Sequence, residues 1–378
     1  MEKSQLIKKF LSEGFQLDSS AIDFLLKNSE KINEIINKLK QTNTLVVTLD
    51  VLKNIFPEKT KIEVLKEYKP KKSFTIEDLT EFFLNRYYQI KEFLSKRIEL
   101  VNLISIKKIT TKTTKFSIIA MVKKISPNKI FVEDNTGSLE LSLKEGDKFY
   151  LTEDEVLGIV VRKQNEEFYV ENIYFPDFSL KKPSYTSNEI NCFFIPAVRL
   201  REFSLKNFLD DIRKDNNVFF VFIDNEKLSE IKGKLENLPK ENTFLFFSPD
   251  SESFSRNEVG FEAYYYPCAI KIDNLILFFY PGYFLENYSK YWNLTEEQTF
   301  LNLIKKRHLN PNFKFSKKIF QEDPFLLNLD PDIIYVNNSN QTNEINYKSR
   351  TFIFTGKADP IIYKINLKTR EKFKITLV

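Results

Sequence analysis

The chain has 378 residues, 42% of them hydrophobic and 15% aromatic, which is ample for two or three domains with real cores. A net charge of +5 is small for this length, reads as spread along the chain, and permits nucleic-acid contact without arguing for it. One histidine, two cysteines and eight glycines, with no G-x-x-x-x-G-K-[ST] or G-x-G-x-x-G run, exclude His/Cys zinc sites, poly-His dinuclear centres and phosphate-cradling loops, leaving an all-carboxylate Mg or Mn site as the one conceivable metal centre.

Residues 1–57 read as a small helical domain. Leu6, Ile7, Phe10 and Leu11 share one face of a first helix that Gly14 ends. Ser20 with Asp23 resembles a capping box for a second helix bearing Ile22, Phe24, Leu25 and Leu26. A third helix carries Ile32, Ile35, Ile36 and Leu39, and the short strand "TLVVTL" follows. Lys and Glu interrupt the first dozen residues, which argues against a secretory signal, and Cys192 and Cys268 lie far apart, so a cytoplasmic, reducing setting is expected. Residues 58–74 are lysine-rich and aperiodic, and read as a linker.

A connecting segment, 75–115, opens with a long helix over 75–101 whose apolar stripe is Leu79, Phe82, Phe83, Tyr87, Ile90 and Phe93. Its "IEDLTEFF" run has the hydrophobic-x-x-aromatic-aromatic outline of a sliding-clamp peptide, with Ile76 where a glutamine is expected; an ordinary core stripe is the simpler reading. Over 116–178 the period changes to two. "KFSIIAMVKKI", "KIFVEDNTGSLELSL", "VLGIVVRK" and "EFYVENIYF" are strand-like, with a turn at Asn135, Thr136 and Gly137, and predict a small barrel of OB type. Such barrels bind single strands through basic and aromatic side chains; the candidates are Lys123, Lys124, Lys129, Phe131, Arg162, Lys163 and Tyr169.

From 188 to 378, short apolar runs alternate with helical segments. "CFFIPAV", "VFFVFID", "TFLFFSPD", "AIKIDNLILFFYPG", "DIIYVNN" and "RTFIFTG" predict strands covered on both faces, with "SLKNFLDDIRK" and "TEEQTFLNLIKKRHL" as intervening helices. Apolar stretches such as "NLILFFYPGYF" are too short to cross a bilayer, so no membrane contact is expected. The "DIIYVNNSNQ" run is unusual: a buried strand passes directly into asparagines, where α/β enzymes place their chemistry, yet amides neither hold a proton near neutral pH nor bind a transition metal strongly.

In order and spacing, "SIIAMV", "VEDNTGSLELSL", "DEVLGIVV" and "IYFPD", then "FIPAVRLREF", "RHLNP" and "PDII", make the chain resemble the small subunit of the archaeal D-family replicative DNA polymerase, a relative of the B subunits of eukaryotic replicative polymerases. The resemblance implies a helical N-terminal domain, an OB barrel and a calcineurin-like phosphoesterase domain, which in archaeal members acts as a two-metal 3′-5′ exonuclease. Two-metal hydrolysis needs carboxylates and imidazoles around a cation pair, and this chain departs from that set. Ala197 and Arg199 stand at the family's Asp-x-His. Asp224 is kept, but Lys227 replaces the second acid of Gly-Asp-x-x-Asp. "PDSE", with Asp250 and Glu252, replaces Gly-Asn-His-Asp; Pro281 stands where a His precedes Gly282; and Asn337, Asn338, Ser339 and Asn340 fall on Gly-His-x-His. Arg199 and Lys227 are expected to repel divalent metal and to pair with Asp224 or Glu252.

The expectation is therefore an inactivated phosphoesterase without metal or other cofactor: a non-catalytic accessory subunit that binds the large catalytic subunit of a DNA polymerase and contacts DNA through the barrel. The rival enzyme reading is a Mn- or Mg-dependent nuclease built on Asp224, Asp250 and Glu252, and a further alternative is a free-standing single-strand-binding protein. His308, in "KKRHLNP", is expected to pack or cap a helix end.

Overall fold

The computed structural model describes residues 2–42, 44–55, 61–68, 73–144, 149–202, 217–224, 228–248, 260–316, 320 and 322–377. Four helices, α1 (Lys3–Ser12), α2 (Ser19–Lys27), α3 (Ile32–Leu39) and α4 (Leu49–Ile55), with the short parallel pair β1 (Gln16–Leu17) and β2 (Val46–Val47), build the N-terminal module. Leu6, Phe10, Leu25, Ile35, Leu39 and Leu52 fill its core. Helix α2 begins one residue before the expected Ser20 cap: Asp18 takes the N-cap position and Ser20 Oγ donates to its carboxylate. Helix α4 follows β2, where only a strand was expected.

Part of the expected linker is a strand. β3 (Ile62–Glu67) pairs antiparallel with the strand Cys268–Ile272. Ile62 and Val64 lie against the core between two sheets, Leu65 faces the other way by strand alternation, and the register shift at Leu65 brings Tyr68 to that opposite face as well. Six residues, three of them charged, give too weak an alternation to stand out in a lysine-rich stretch.

Helix α5 (Ile76–Leu94) opens with a capping box, Thr75 Oγ1 accepting from the Asp78 amide at 3.2 Å, and stops seven residues before the expected end at 101. Strands β4 (Lys115–Ser126), β5 (Lys129–Asp134), β6 (Gly137–Ser142), β7 (Val156–Gln164) and β8 (Glu167–Tyr174) close a barrel in the order β4-β5-β6-β8-β7. Ile118, Val122, Val132, Leu141, Ile159 and Val170 fill it. The Asp134 carboxylate accepts from the amides of Thr136 and Gly137 and so makes the β5–β6 turn.

The remainder is two mixed six-stranded sheets face to face. The first runs β12 (Glu262–Tyr265), β11 (Thr243–Phe247), β10 (Asn217–Ile223), β9 (Asn191–Pro196), β18 (Ile361–Asn366), β19 (Lys372–Thr376). The second runs β16 (Asn343–Tyr347), β17 (Arg350–Gly356), β15 (Ile333–Ser339), β14 (Leu275–Tyr280), β13 (Cys268–Ile272), β3. Aromatic rings fill the space between them: Tyr335 stacks on Phe222 and Phe194 at 4.3 and 4.7 Å between centroids, and Phe279 meets Phe246 edge-on at 4.5 Å. Helices α6 (Ala197–Glu202) and α7 (Leu228–Leu235) cover the outer face of the first sheet. Helices α8 (Leu285–Trp292) and α9 (Glu296–Lys305) cover that of the second, with the short α10 (Phe313–Ser316) beyond. The expected helix over "SLKNFLDDIRK" lies outside the described residues. No helix among those described is long and apolar enough to cross a membrane.

Buried charges fasten α5 and the barrel to the sandwich. Arg86 of α5 donates from Nε and Nη2 to Asp323 Oδ2, both at 2.7 Å, and from Nη1 to the carbonyls of Pro311 and Asp154. Lys306 pairs with Glu155, Trp292 Nε1 donates to the Leu151 carbonyl at 3.0 Å, and Asn312 Nδ2 donates to Thr152 Oγ1 at 3.1 Å. The Arg307 guanidinium is sandwiched between the rings of Phe93 and Phe178, 4.2 and 3.9 Å from their centroids, and burial lowers its pKa to about 10. His308 accepts at Nδ1 from the Asn310 amide (3.1 Å), so Nε2 carries the proton and donates to Asp323 at 2.8 Å; burial holds the ring neutral. It fastens a junction at a helix end, as its sequence context predicts.

Candidate functional site

The C-terminal ends of β10, β14 and β15 meet at one buried carboxylate. Asp224, 7% exposed, directly follows β10. Its Oδ1 accepts hydrogen bonds from the hydroxyls of Tyr266 and Tyr283, and its Oδ2 accepts from Asn337 Nδ2 and Asn338 Nδ2, each at 2.7 Å. A carboxylate offers about four lone-pair sites, and here four donors fill them. Burial first, and the neighbouring Asp224 charge second, push both phenol pKa values upward, so Tyr266 and Tyr283 stay protonated and keep donating.

Each asparagine has a local reason to be there. Asn338 adopts a left-handed backbone (φ +57°), which asparagine tolerates better than most residues, and its amide also reaches the Pro281 carbonyl at 3.3 Å. Asn337 is buried; its Oδ1 accepts from Tyr335 Oη (3.2 Å) and Thr355 Oγ1 (3.1 Å), so the amide is used at both ends. A histidine in either place would forfeit part of this arrangement.

The other positions on the family's ligand set fall in different surroundings. Ala197, the first residue of α6, is buried in the apolar layer on the outer face of the first sheet. Arg199 directs Nη2 to the carbonyls of Gly356 and Lys357, at 3.1 and 2.8 Å, and so braces the end of β17. Asn340 is exposed, and its amide and the Ser339 hydroxyl bind Glu296, away from Asp224. Pro281 contributes its carbonyl. Lys227, Asp250 and Glu252 lie outside the described residues. Among the described residues, no group of three or more His, Cys, Asp or Glu side chains is placed to hold a metal ion.

Sequence reasoning missed Tyr266 and Tyr283. The tyrosine run before Cys268 and the Tyr after Pro281-Gly282 were the available signals, but neither is near Asp224 in sequence.

On the barrel, the proposed single-strand face is largely neutralised. Lys123 pairs with Glu133 (2.8 Å), Lys129 with Glu140 (2.5 Å), Arg162 with Glu171 and Lys163 with Glu166 (2.8 Å), while Tyr169 donates to Glu167 at 2.6 Å. Lys124 lies over the Phe131 ring at 6.0 Å. Three of the seven candidates, Lys123, Lys129 and Arg162, thus pair with glutamates of neighbouring strands, and Lys163 and Tyr169 with glutamates of their own hairpin. The sliding-clamp outline in α5 is likewise used internally: Phe82 is buried, Phe83 packs on Phe313, and Arg86 lies over both rings.

No protein-family model and no curated protein sequence matches the chain. Among solved structures, it is similar to the Stn1–Ten1 complex of S. pombe (23% identity, TM-score 0.16, covering 19% of this chain and 72% of that one). It is also similar to the telomere capping protein Ten1 from Schizosaccharomyces pombe (23%, 0.17, 19% and 77%). An archaeal phosphodiesterase matches over 50% of this chain and 99% of its own, at 12% identity and a TM-score of 0.30. Scores this low leave the fold to be read from the strand order and the two-sheet core themselves.

Proposed function

We propose that the chain is a non-catalytic accessory subunit of a replicative DNA polymerase, in which the barrel and an inactivated phosphoesterase sandwich hold the large catalytic subunit. The observation that carries the inactive reading is the saturation of Asp224. A divalent cation there would have to displace donors whose positive ends already point at the carboxylate, two on each oxygen. Among the described residues no second acid joins Asp224 to compensate for re-exposing two phenols and two amides, and a stable Mg or Mn site draws on several oxygen ligands. The packed body needs no metal to persist: aromatic stacking fills the core and buried ion pairs fasten its parts. The polymerase context rests on the motif resemblance.

Two measurements test the two halves of this reading. The purified chain is expected to leave a single-stranded oligonucleotide intact in Mg and in Mn; trimming that disappears in Asp224→Asn would establish the rival nuclease. Co-expressed with a D-family large subunit, the chain is expected to co-purify in a stable complex, and a chain that elutes alone would remove the accessory role.

A further inference from the structure

The net charge of the chain is not spread evenly, as its total suggested. Residues 357–378 contain six basic residues (Lys357, Lys364, Lys368, Arg370, Lys372, Lys374) against two acidic ones (Asp359, Glu371), a net +4 of the whole chain's +5. Most of this segment is one hairpin, β18–β19, at the open edge of the first sheet.

The structure sorts these cations. Lys357 pairs with Glu286 and Lys372 with Glu344. The other four have no carboxylate within ion-pair distance among the described residues: Lys374 donates to the Thr342 carbonyl, Arg370 donates to the Ser184 carbonyl and lies over the Tyr185 ring, Lys368 is exposed in the turn, and Lys364 sits between two rings. Asp359 is occupied by the Thr342 amide and Glu371 by the Thr369 hydroxyl. Across the outer face runs a cross-strand row, Phe219, Phe193, Lys364 and Phe373, in direct register. Phe193 stacks on Phe219, and the Lys364 ammonium lies 5.5 Å from the Phe193 centroid and 5.7 Å from that of Phe373. Phe373 ends the row at the sheet edge, 49% exposed.

We infer that this hairpin binds a single-stranded nucleic acid, with a base stacked on Phe373 and phosphates held by Lys364 and by Lys368 in the turn. An exposed ring beside Lys364 and Lys368, which no described carboxylate holds within ion-pair distance, supplies the two elements of sequence-tolerant strand binding. The barrel candidates lack the second, because glutamates hold most of their cations. The inference needs neither the polymerase context nor the inactive sandwich.

The test is fluorescence anisotropy of the full chain with labelled oligothymidylate of about twenty nucleotides, starting near about 50 mM salt. Phe373→Ala is expected to weaken binding about fivefold or more, and Phe373→Trp to retain it. Lys364→Gln with Lys368→Gln is expected to reduce the slope of log affinity against log salt by about 1.4. Lys123→Gln with Lys129→Gln is expected to bind as the parent chain does. Unchanged melting temperatures separate lost contacts from lost folding, and Phe373→Trp with the lysine variants keeps the test decisive if Phe373→Ala unfolds. The inference is overturned if the parent chain does not bind, if the hairpin variants bind as it does, or if labelled polyglutamate binds more tightly than the oligonucleotide, which would make the partner an acidic protein segment.

Discussion

Gly282 has φ +74°, and a Cβ there would stand 2.0 Å from the Asn337 carbonyl oxygen, so the ends of β14 and β15 approach as closely as they do because this residue has no side chain. Gly282→Ala is expected to cost about 3 kcal/mol in urea unfolding. Gly233→Ala in α7, with nothing within 4 Å, is expected to gain about 0.5–1 kcal/mol. A second residue-scale prediction concerns acid. Burial depresses the pKa of His308 below its unfolded value of about 6.5, so below that pH the unfolded chain takes up a proton the folded chain refuses. Stability from this group is complete above about pH 6.5 and declines by at most about 1.4 kcal/mol per pH unit as pH falls toward 5. His308→Gln, whose amide can still donate to Asp323, is expected to show a shallower decline in Tm between about pH 6.5 and 5. The Asp323 carboxyl, held well below its ordinary range by Arg86 and His308 against the opposing effect of burial, titrates at far lower pH and leaves that window clear. Of this chemistry, the asparagine switch after β15 was legible, because polar residues at the end of a buried strand stand out locally. The tyrosines that complete the cluster were not, since only folding brings Tyr266 and Tyr283 to Asp224.

Among the elements, strands buried on both faces were read most securely. "CFFIPAV", "VFFVFID" and "RTFIFTG" are continuous apolar runs, and the folded chain covers them on both sides. β3 escaped because one edge strand, alternating over only a few residues, carries little signal beside lysines. Its place on β13 gives it a testable weight. Val64→Asp sets a carboxylate against the core between the sheets and is expected to destabilise the sandwich by about 2 kcal/mol or more in chemical unfolding. Glu63→Lys, outside that core, is expected to change stability by less than about 0.5 kcal/mol. Reversal of that order would mean that β3 is not held by its apolar face.

At the scale of the whole molecule, buried charges cross the junction between the barrel and the sandwich beside an apolar cluster that includes Ile90, Val156 and Leu326. Arg86→Met leaves the buried Asp323 carboxylate with only the neutral His308 ring and the Phe325 amide as donors, and is expected to cost about 3–5 kcal/mol and to split calorimetric unfolding into separate barrel and sandwich transitions. One undivided transition at the original temperature would show that the junction does not depend on this pair. Arg86 also meets carbonyls on both sides, those of Asp154 and Pro311, and together with the Lys306–Glu155 pair and the Trp292 and Asn312 hydrogen bonds it fixes the spacing of two folded bodies. A ligand long enough to touch both therefore meets a fixed ruler. It surrenders its own freedom on docking but need not arrest the swing of one body against the other, and so more of each contact remains as affinity.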